Sequence, residues 1–276
     1  TLAIEEINKA MQAAAELPAN AGKLEKRADG FWYFNNEPVT IKFIIRVDDP
    51  NGRLRLGEYV SNQLEKAGLK VEKLLWDRSK AGRTVYGGSD PKDLVWQMYT
   101  EGWGAGATRA FWEHIVAQMY APWYGYMPGN QTEGYWNYVQ DEIDEVTMKA
   151  YTGNFLTEDE YWELALRGLE LGLEEAVRIY VVNQQDFFTA NAARLVDRFA
   201  YGLGDGLNGW SIKTAETQDG VLFVTLFSAM GSLFMDAWDP IGTDGFSSTY
   251  SSAIAENLYD PAMFESPASA IQTPLR

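Results

Sequence analysis

The sequence predicts an α/β fold: a mixed, mostly parallel sheet flanked by helices, followed by a C-terminal segment of strands and loops. Three neighbouring stretches carry this. In residues 39–47, "VTIKFIIRV", the apolar residues Val39, Ile41, Phe43, Ile45 and Val47 alternate, the period-two signature of a strand. In residues 53–67 the apolar positions Leu56, Tyr59, Val60 and Leu64 recur at helical spacing, and Gly68 stands where a helix C-terminal glycine would. "LKVEKLLW", from Leu69, reads as a second strand. A strand, a helix and a strand with short joints make a βαβ unit, and such strands pair in parallel.

The remaining elements follow in order. Residues 3–15 are Ala-rich and predict a helix that ends near Leu17-Pro18, and "NAGKLEKRADGFW" reads as a polar connector. After the βαβ unit, the Gly-rich and charged stretch 77–92 predicts a loop, and "DLVWQMYTEGW" a third strand with Trp96 in the core. Residues 109–119 predict a helix, 120–138 an aromatic loop, and 141–151 a helix with the acidic start Asp141, Glu142, Asp144 and Glu145. Thr157-Glu158-Asp159-Glu160 is a capping box that opens a long helix to about Val177. "RIYVVNQ" reads as a fourth strand, and "GWSIK" and "GVLFVTLFSA" as strands of the last segment, which is otherwise loop-like.

Composition narrows the chemistry. The 276 residues are 46% hydrophobic, enough for a sizeable core, and the net charge of -16 repels phosphate backbones and argues against nucleic acid as a partner. With no cysteine, disulfides, thiolate metal sites and thiol catalysis are excluded. His114 is the sole histidine, which argues against a zinc site and reads as a structural helix residue. Asp236, Asp239 and Asp244 lack the spacing of a calcium loop and read as caps and turns. No metal, cofactor or catalytic residue is expected. No stretch reaches the ~18 apolar residues of a membrane span. The chain begins Thr-Leu-Ala, with neither initiator Met nor signal-peptide pattern, and reads as a processed or excised piece.

The stretch "EGWGAGATRAFW", from Glu101, joins the predicted third strand to a helix. It lacks the lysine of a P-loop and the spacing of a dinucleotide fingerprint. It reads as a tight turn or as the lip of a ligand cleft, because ligands in open α/β sheets lie outside the carboxyl ends of strands. Half of the ten tryptophans fall between residues 96 and 136: Trp96, Trp103, Trp112, Trp123 and Trp136. Aromatic faces stack on sugars and peptide side chains, and Trp N–H and Tyr O–H orient a ligand. The expected ligand-binding residues are therefore Trp103, Gly104, Ala105 and Gly106 at the turn, with Trp123, Tyr124 and Tyr126 in the aromatic loop.

Three segments resemble the solute-binding proteins of peptide and oligosaccharide ABC importers (extracellular solute-binding family 5). "PVTIKFIIRVDDPNGRLRLGEYVSNQLEKAGLKVE" resembles a strand and helix that open a lobe, and its "LEKAGLKV" fits the family's LxxxGxxV end. "DLVWQMYTEGWGAG" resembles the family's strand and turn, and residues 135–182 its helices and following strand. The similarity runs from residue 38 to 203. It implies a type-II periplasmic-binding-protein-like lobe, an extracytoplasmic location, an oligopeptide or oligosaccharide ligand, an importer permease as partner, and a membrane anchor outside these residues. Peptide binders of the family carry Asp after W-x-A; here Gly106 takes that place, which removes one anchor for a peptide ammonium.

The resulting expectation is a non-catalytic ligand-capturing lobe over residues 38–204, with residues 1–37 a leading helix and connector and 205–276 a return segment. Two alternatives stand beside it. A glycosidase would need two facing carboxylates, and the sequence offers only Glu101 and Glu113 near the turn. An interaction domain would use the aromatic loop as a partner patch.

Overall fold

A computed structural model of the chain describes residues 2–87, 90–103, 115–124, 127, 138–182, 189–196, 209–225, 257–258, 263–265 and 272–274. The chain divides into two compact units, Thr1–Val85 with Ser89–Trp103, and Tyr86–Gly88 with Gly104–Arg276.

In the first unit, α1 (Leu2–Glu16) is amphipathic, with Ile4, Ile7 and Met11 half-buried on one face. The expected polar connector is instead an antiparallel meander of β1 (Leu24–Lys26), β2 (Trp32–Phe34) and β3 (Glu37–Pro38). Asn35 and Asn36, both at positive φ, turn β2 into β3 with Phe34 opposite Glu37. Such a two-residue turn matches strand twist, and asparagine tolerates its dihedrals. Trp32, 3% exposed, anchors the meander and donates its indole N–H to Asn8 of α1 at 3.3 Å.

The predicted βαβ unit is present. β4 (Thr40–Arg46), α2 (Arg53–Ala67) and β5 (Lys70–Trp76) follow in order, and β4 pairs with β5 in parallel from Thr40↔Lys70 to Arg46↔Trp76. Gly68 ends α2 at φ 96°, a left-handed conformation open to glycine at no steric cost. The expected alternation along β4 does not hold, because Phe43, Ile44 and Ile45 are all at most 3% exposed. β4 is the central strand, and a parallel strand covered on both faces buries both its side-chain rows.

The stretch 77–92, predicted as a loop, holds α3 (Arg78–Tyr86). The Asp77 carboxylate accepts the Lys80 N–H at 2.8 Å and opens this helix, which buries Ala81 and Val85. The predicted third strand shrinks to β6 (Met98–Tyr99), with Trp96 ahead of it and half-buried. β6 pairs with β4 in parallel on the side away from β5, so the sheet order is β5-β4-β6.

In the second unit, α4 (Ile115–Tyr120), α5 (Asp141–Tyr151) and α6 (Glu158–Glu175) pack together around Ala117, Tyr120, Ile143 and Leu171. The Gln140 side chain caps α5 by accepting the N–H groups of Glu142 and Ile143. The capping box at α6 forms with a displaced return arm. Thr157 accepts the Glu160 N–H at 3.2 Å, while the Glu160 carboxylate accepts from Leu156 rather than from Thr157. Replacing Thr157 by Ala is expected to cost about 1 kcal/mol in urea unfolding, and Thr157→Ser almost nothing.

Three predicted strands are absent among the described residues. Residues 178–182 are irregular, with Ile179 and Val182 more than 70% exposed; Arg178 holds their start by donating to the carbonyls of Gln118 and Met119, at 3.0 and 2.7 Å. "GWSIK" lies in the short helix α7 (Gly209–Thr214). Residues 221–225 are irregular, with Phe223 75% exposed. β-branched composition favours a strand only where a partner strand completes the ladder. The last segment, expected to be loop-like, contains the antiparallel pair β7 (Met263–Glu265) and β8 (Gln272–Pro274). Trp112, His114, Trp136, Asp236, Asp239 and Asp244 lie outside the described residues, as do positions 109–114 of the predicted helix. Among the described residues no helix is long and apolar enough to cross a membrane.

Candidate functional site

The order β5-β4-β6 makes the chain leave β4 toward one neighbour and return to β4 from the other side. The carboxyl ends of β4 and β6 therefore lie side by side, and it is outside such ends that open α/β sheets bind ligands. The sequence puts "RVDDPNGR" at one bank of this edge and "TEGW" at the other.

Arg46 ends β4 and its side chain is only 7% exposed. It forms a two-pronged pair with Asp48: Nε donates to Oδ1 at 2.6 Å and Nη2 to Oδ2 at 2.7 Å. Its Nη1 donates to the Tyr99 hydroxyl of β6 at 3.2 Å. Burial works to raise the Asp48 pKa, but the hydrogen bond and charge of Arg46, joined by the field of Arg53, hold it below the ordinary carboxylate value. Burial works against the Arg46 charge as well; the bonds to Asp48 and the Tyr99 contact outweigh it and push the guanidinium pKa up. The pair fastens the first turn after β4 to β6.

Thr100 sets the path of the opposite bank. Its N–H donates to the Ile44 carbonyl at 3.0 Å, continuing the β4–β6 ladder, and its Oγ1 then accepts the Arg46 N–H at 3.0 Å. A hydroxyl thus takes the place of the next ladder carbonyl. The backbone is free to bend away at Glu101, Gly102 and Trp103, and Trp103 is half-buried beyond the turn.

Asp49 closes the N-terminus of α2. Its carboxylate oxygens accept the N–H groups of Gly52 at 3.0 Å and Arg53 at 3.1 Å. The amides that would attract a phosphate are taken by the chain's own carboxylate, which argues against a phosphate cradle at this helix. The Arg53 guanidinium lies against Gly102: a Cβ at that position would collide with its Nη2 and stand 2.9 Å from its Nε. Glycine at 102 is what lets a charged side chain rest on the turn.

Of the sequence-predicted site residues, Trp103 lies in the first unit, and Trp123 and Tyr124 in the second. Gly104, Ala105, Gly106 and Tyr126 lie outside the described residues, as does Glu113. Trp123 and Tyr124 come together with Tyr151 of α5 in edge-on contacts, at centroid distances of 5.1 to 6.0 Å. The Trp123 indole N–H donates to Thr147 at 2.8 Å and its backbone N–H to Asp144 at 3.3 Å, so both N–H groups of this residue are committed to α5. Burial, with Asp141 nearby, raises the Asp144 carboxyl pKa despite the Trp123 N–H. Among the described residues no group of three or more His, Asp or Glu side chains could hold a metal ion.

Sequence reasoning passed over Arg46, Asp48 and Arg53. The available signal was an arginine closing the most apolar strand, followed at once by two aspartates. Charge at the end of a buried run needs a partner, and the nearest acid in sequence supplies it.

No protein-family model and no curated protein matches the chain. Among solved structures it is similar to NikZ from Campylobacter jejuni, crystallised in complex with Ni(L-His), at 13% identity and a TM-score of 0.44. That match covers 62% of this chain and 30% of the NikZ chain.

Proposed function

We propose that the chain is a non-catalytic solute-binding module that captures a small-molecule ligand at the carboxyl edge of the β5-β4-β6 sheet, in the manner of the extracytoplasmic receptors of ABC importers. The observation that carries this is the "TEGW" turn at the carboxyl ends of β4 and β6, released from the ladder at Thr100. A rigid base, set by the Arg46–Asp48 pair, and a glycine-bearing lip are what a binding edge requires. Trp103 supplies an apolar face at that lip, and the residues next in sequence, Gly104, Ala105 and Gly106, carry little side chain to bar a ligand. The ligand is an oligopeptide or an oligosaccharide, and a permease would receive it.

Titration with trialanine, with cellotriose and with digalacturonate, followed by intrinsic tryptophan fluorescence, tests the proposal. One of the three is expected to give a saturable change that Trp103→Phe abolishes and Trp123→Phe leaves in place. Failure of all three solutes to saturate, or a response indifferent to Trp103, would overturn it.

A further inference from the structure

Two arginines stand at the same sheet edge in opposite states. Arg46 has donors from Nε, Nη1 and Nη2 all engaged. Arg53 has a side chain three-quarters buried, with 25% exposed, yet among the described residues its guanidinium makes no hydrogen bond. Its nearest acid is Asp49, at 3.9 Å, well beyond the 2.7–2.9 Å of a charge-assisted bond. Both Asp49 carboxylate oxygens already accept backbone N–H groups, from Gly52 and Arg53. The guanidinium thus keeps a long ion pair to Asp49 and donors that no acceptor among the described residues takes up, on a side chain that still reaches solvent.

The Gly102 contact fixes where those donors lie. The guanidinium rests on the backbone of the turn that leaves β6, so its donor fork is held at the lip rather than swinging in solvent. A planar fork with fixed orientation matches a carboxylate, which accepts two parallel N–H bonds. The acids of this edge have partners: Asp48 in Arg46, Asp49 in the cap of α2, and Glu101, whose carboxylate accepts the Gly102 N–H at 3.2 Å.

We infer that Arg53 is the anchor for a carboxylate of the ligand, and that Gly102 is the seat that holds the anchor in place. This rests on the binding reading above and narrows it: the solute is an acid, either a peptide presenting its C-terminal carboxylate or an oligosaccharide containing a uronic acid. A neutral sugar is not its ligand.

The test uses the intact chain and two matched pairs of probes, trialanine against trialanine amide and digalacturonate against cellobiose. One of the two acids is expected to saturate the tryptophan signal, with its neutral counterpart binding roughly ten- to a hundredfold more weakly, the value of one lost charged contact. The acid that binds identifies the carboxylate's source. Arg53→Gln should bring the acid down to the level of its neutral counterpart. Gly102→Ala, which displaces the guanidinium without removing it, should weaken acid binding in the same direction, and the melting temperature of each variant reports that it folds. Equal affinity for acid and neutral probe, or acid binding that survives Arg53→Gln in a folded variant, overturns the anchor while leaving a binding module in place. Absence of saturation by all four probes overturns the anchor together with the binding reading.

Discussion

Arg46→Met is expected to cost the first unit about 3–5 kcal/mol in urea unfolding at neutral pH, the usual penalty for stranding one member of a buried ion pair. Methionine keeps the aliphatic stem, so the loss is electrostatic rather than a cavity. Asp48, with its side chain 10% exposed, would remain charged with only the weaker field of Arg53 against it. Replacing both partners by apolar residues, Arg46→Met with Asp48→Leu, should recover much of the loss, because two desolvated charges are removed together. Equal destabilisation by the single and the double variant would show that the pair matters only through packing.

The pH dependence of this pair has a definite sign. The Asp48 pKa in the folded chain lies below its ordinary 3.8. The pair's contribution is therefore fully present above that ordinary value and is lost as pH falls through the lower folded one. In Arg46→Met the lone carboxyl is buried without its cation, its pKa moves up, and acid relieves it. The stability gap between wild type and Arg46→Met should narrow as pH drops below about 4. A gap constant from pH 7 to 3 would mean that the charge on Asp48 is not what the variant exposes.

Gly172→Ala is the second expected large effect, and its sign is the test. Helix propensity alone favours alanine over glycine in a helix interior by about 1 kcal/mol. The α6 backbone at Gly172, however, lies against the ring of Tyr120 at the end of α4, and an added Cβ would collide with that ring. Tyr120 is 4% exposed and cannot swing into solvent without opening the core. The collision should outweigh propensity, so the net outcome is a loss of about 1–3 kcal/mol, the range for overpacking. The companion variant Gly172→Ala with Tyr120→Leu should regain part of it. A stabilised single variant would show that α4 and α6 are less closely packed than this contact requires.

How much was legible in the sequence differs from element to element. α2 and α5 were readable because helices are local: apolar spacing, the glycine at 68 and the acidic first turn of α5 lie within a few residues of the backbone they govern. The β4–α2–β5 unit was readable for the same reason, since short joints leave a parallel crossover as the only economical arrangement. The meander at residues 24–38 was missed because its strands are short and its turn is Asn-Asn, a weaker signal than Asn-Gly. The strands read at 178–184 and 220–229 are absent from the described parts of those stretches, 178–182 and 220–225, because composition records a preference for sheets, while a strand exists only if another strand accepts its hydrogen bonds.

The candidate site divides along the same line. The sequence by itself determined that a glycine-bearing turn follows a strand and that aromatic residues crowd after it. It also determined that thiolate chemistry is absent. Only the tertiary structure decided which residues share the sheet edge. It placed β6 beside β4 on the side away from β5, and so brought Tyr99 and Thr100 to Arg46 across more than fifty positions of chain. It tied Trp123 to α5 through Thr147 and Asp144. It satisfied one arginine and left the other resting on Gly102. The reason is physical: backbone preferences act over a few residues, whereas desolvation and hydrogen-bond satisfaction are settled by whatever the fold brings into contact.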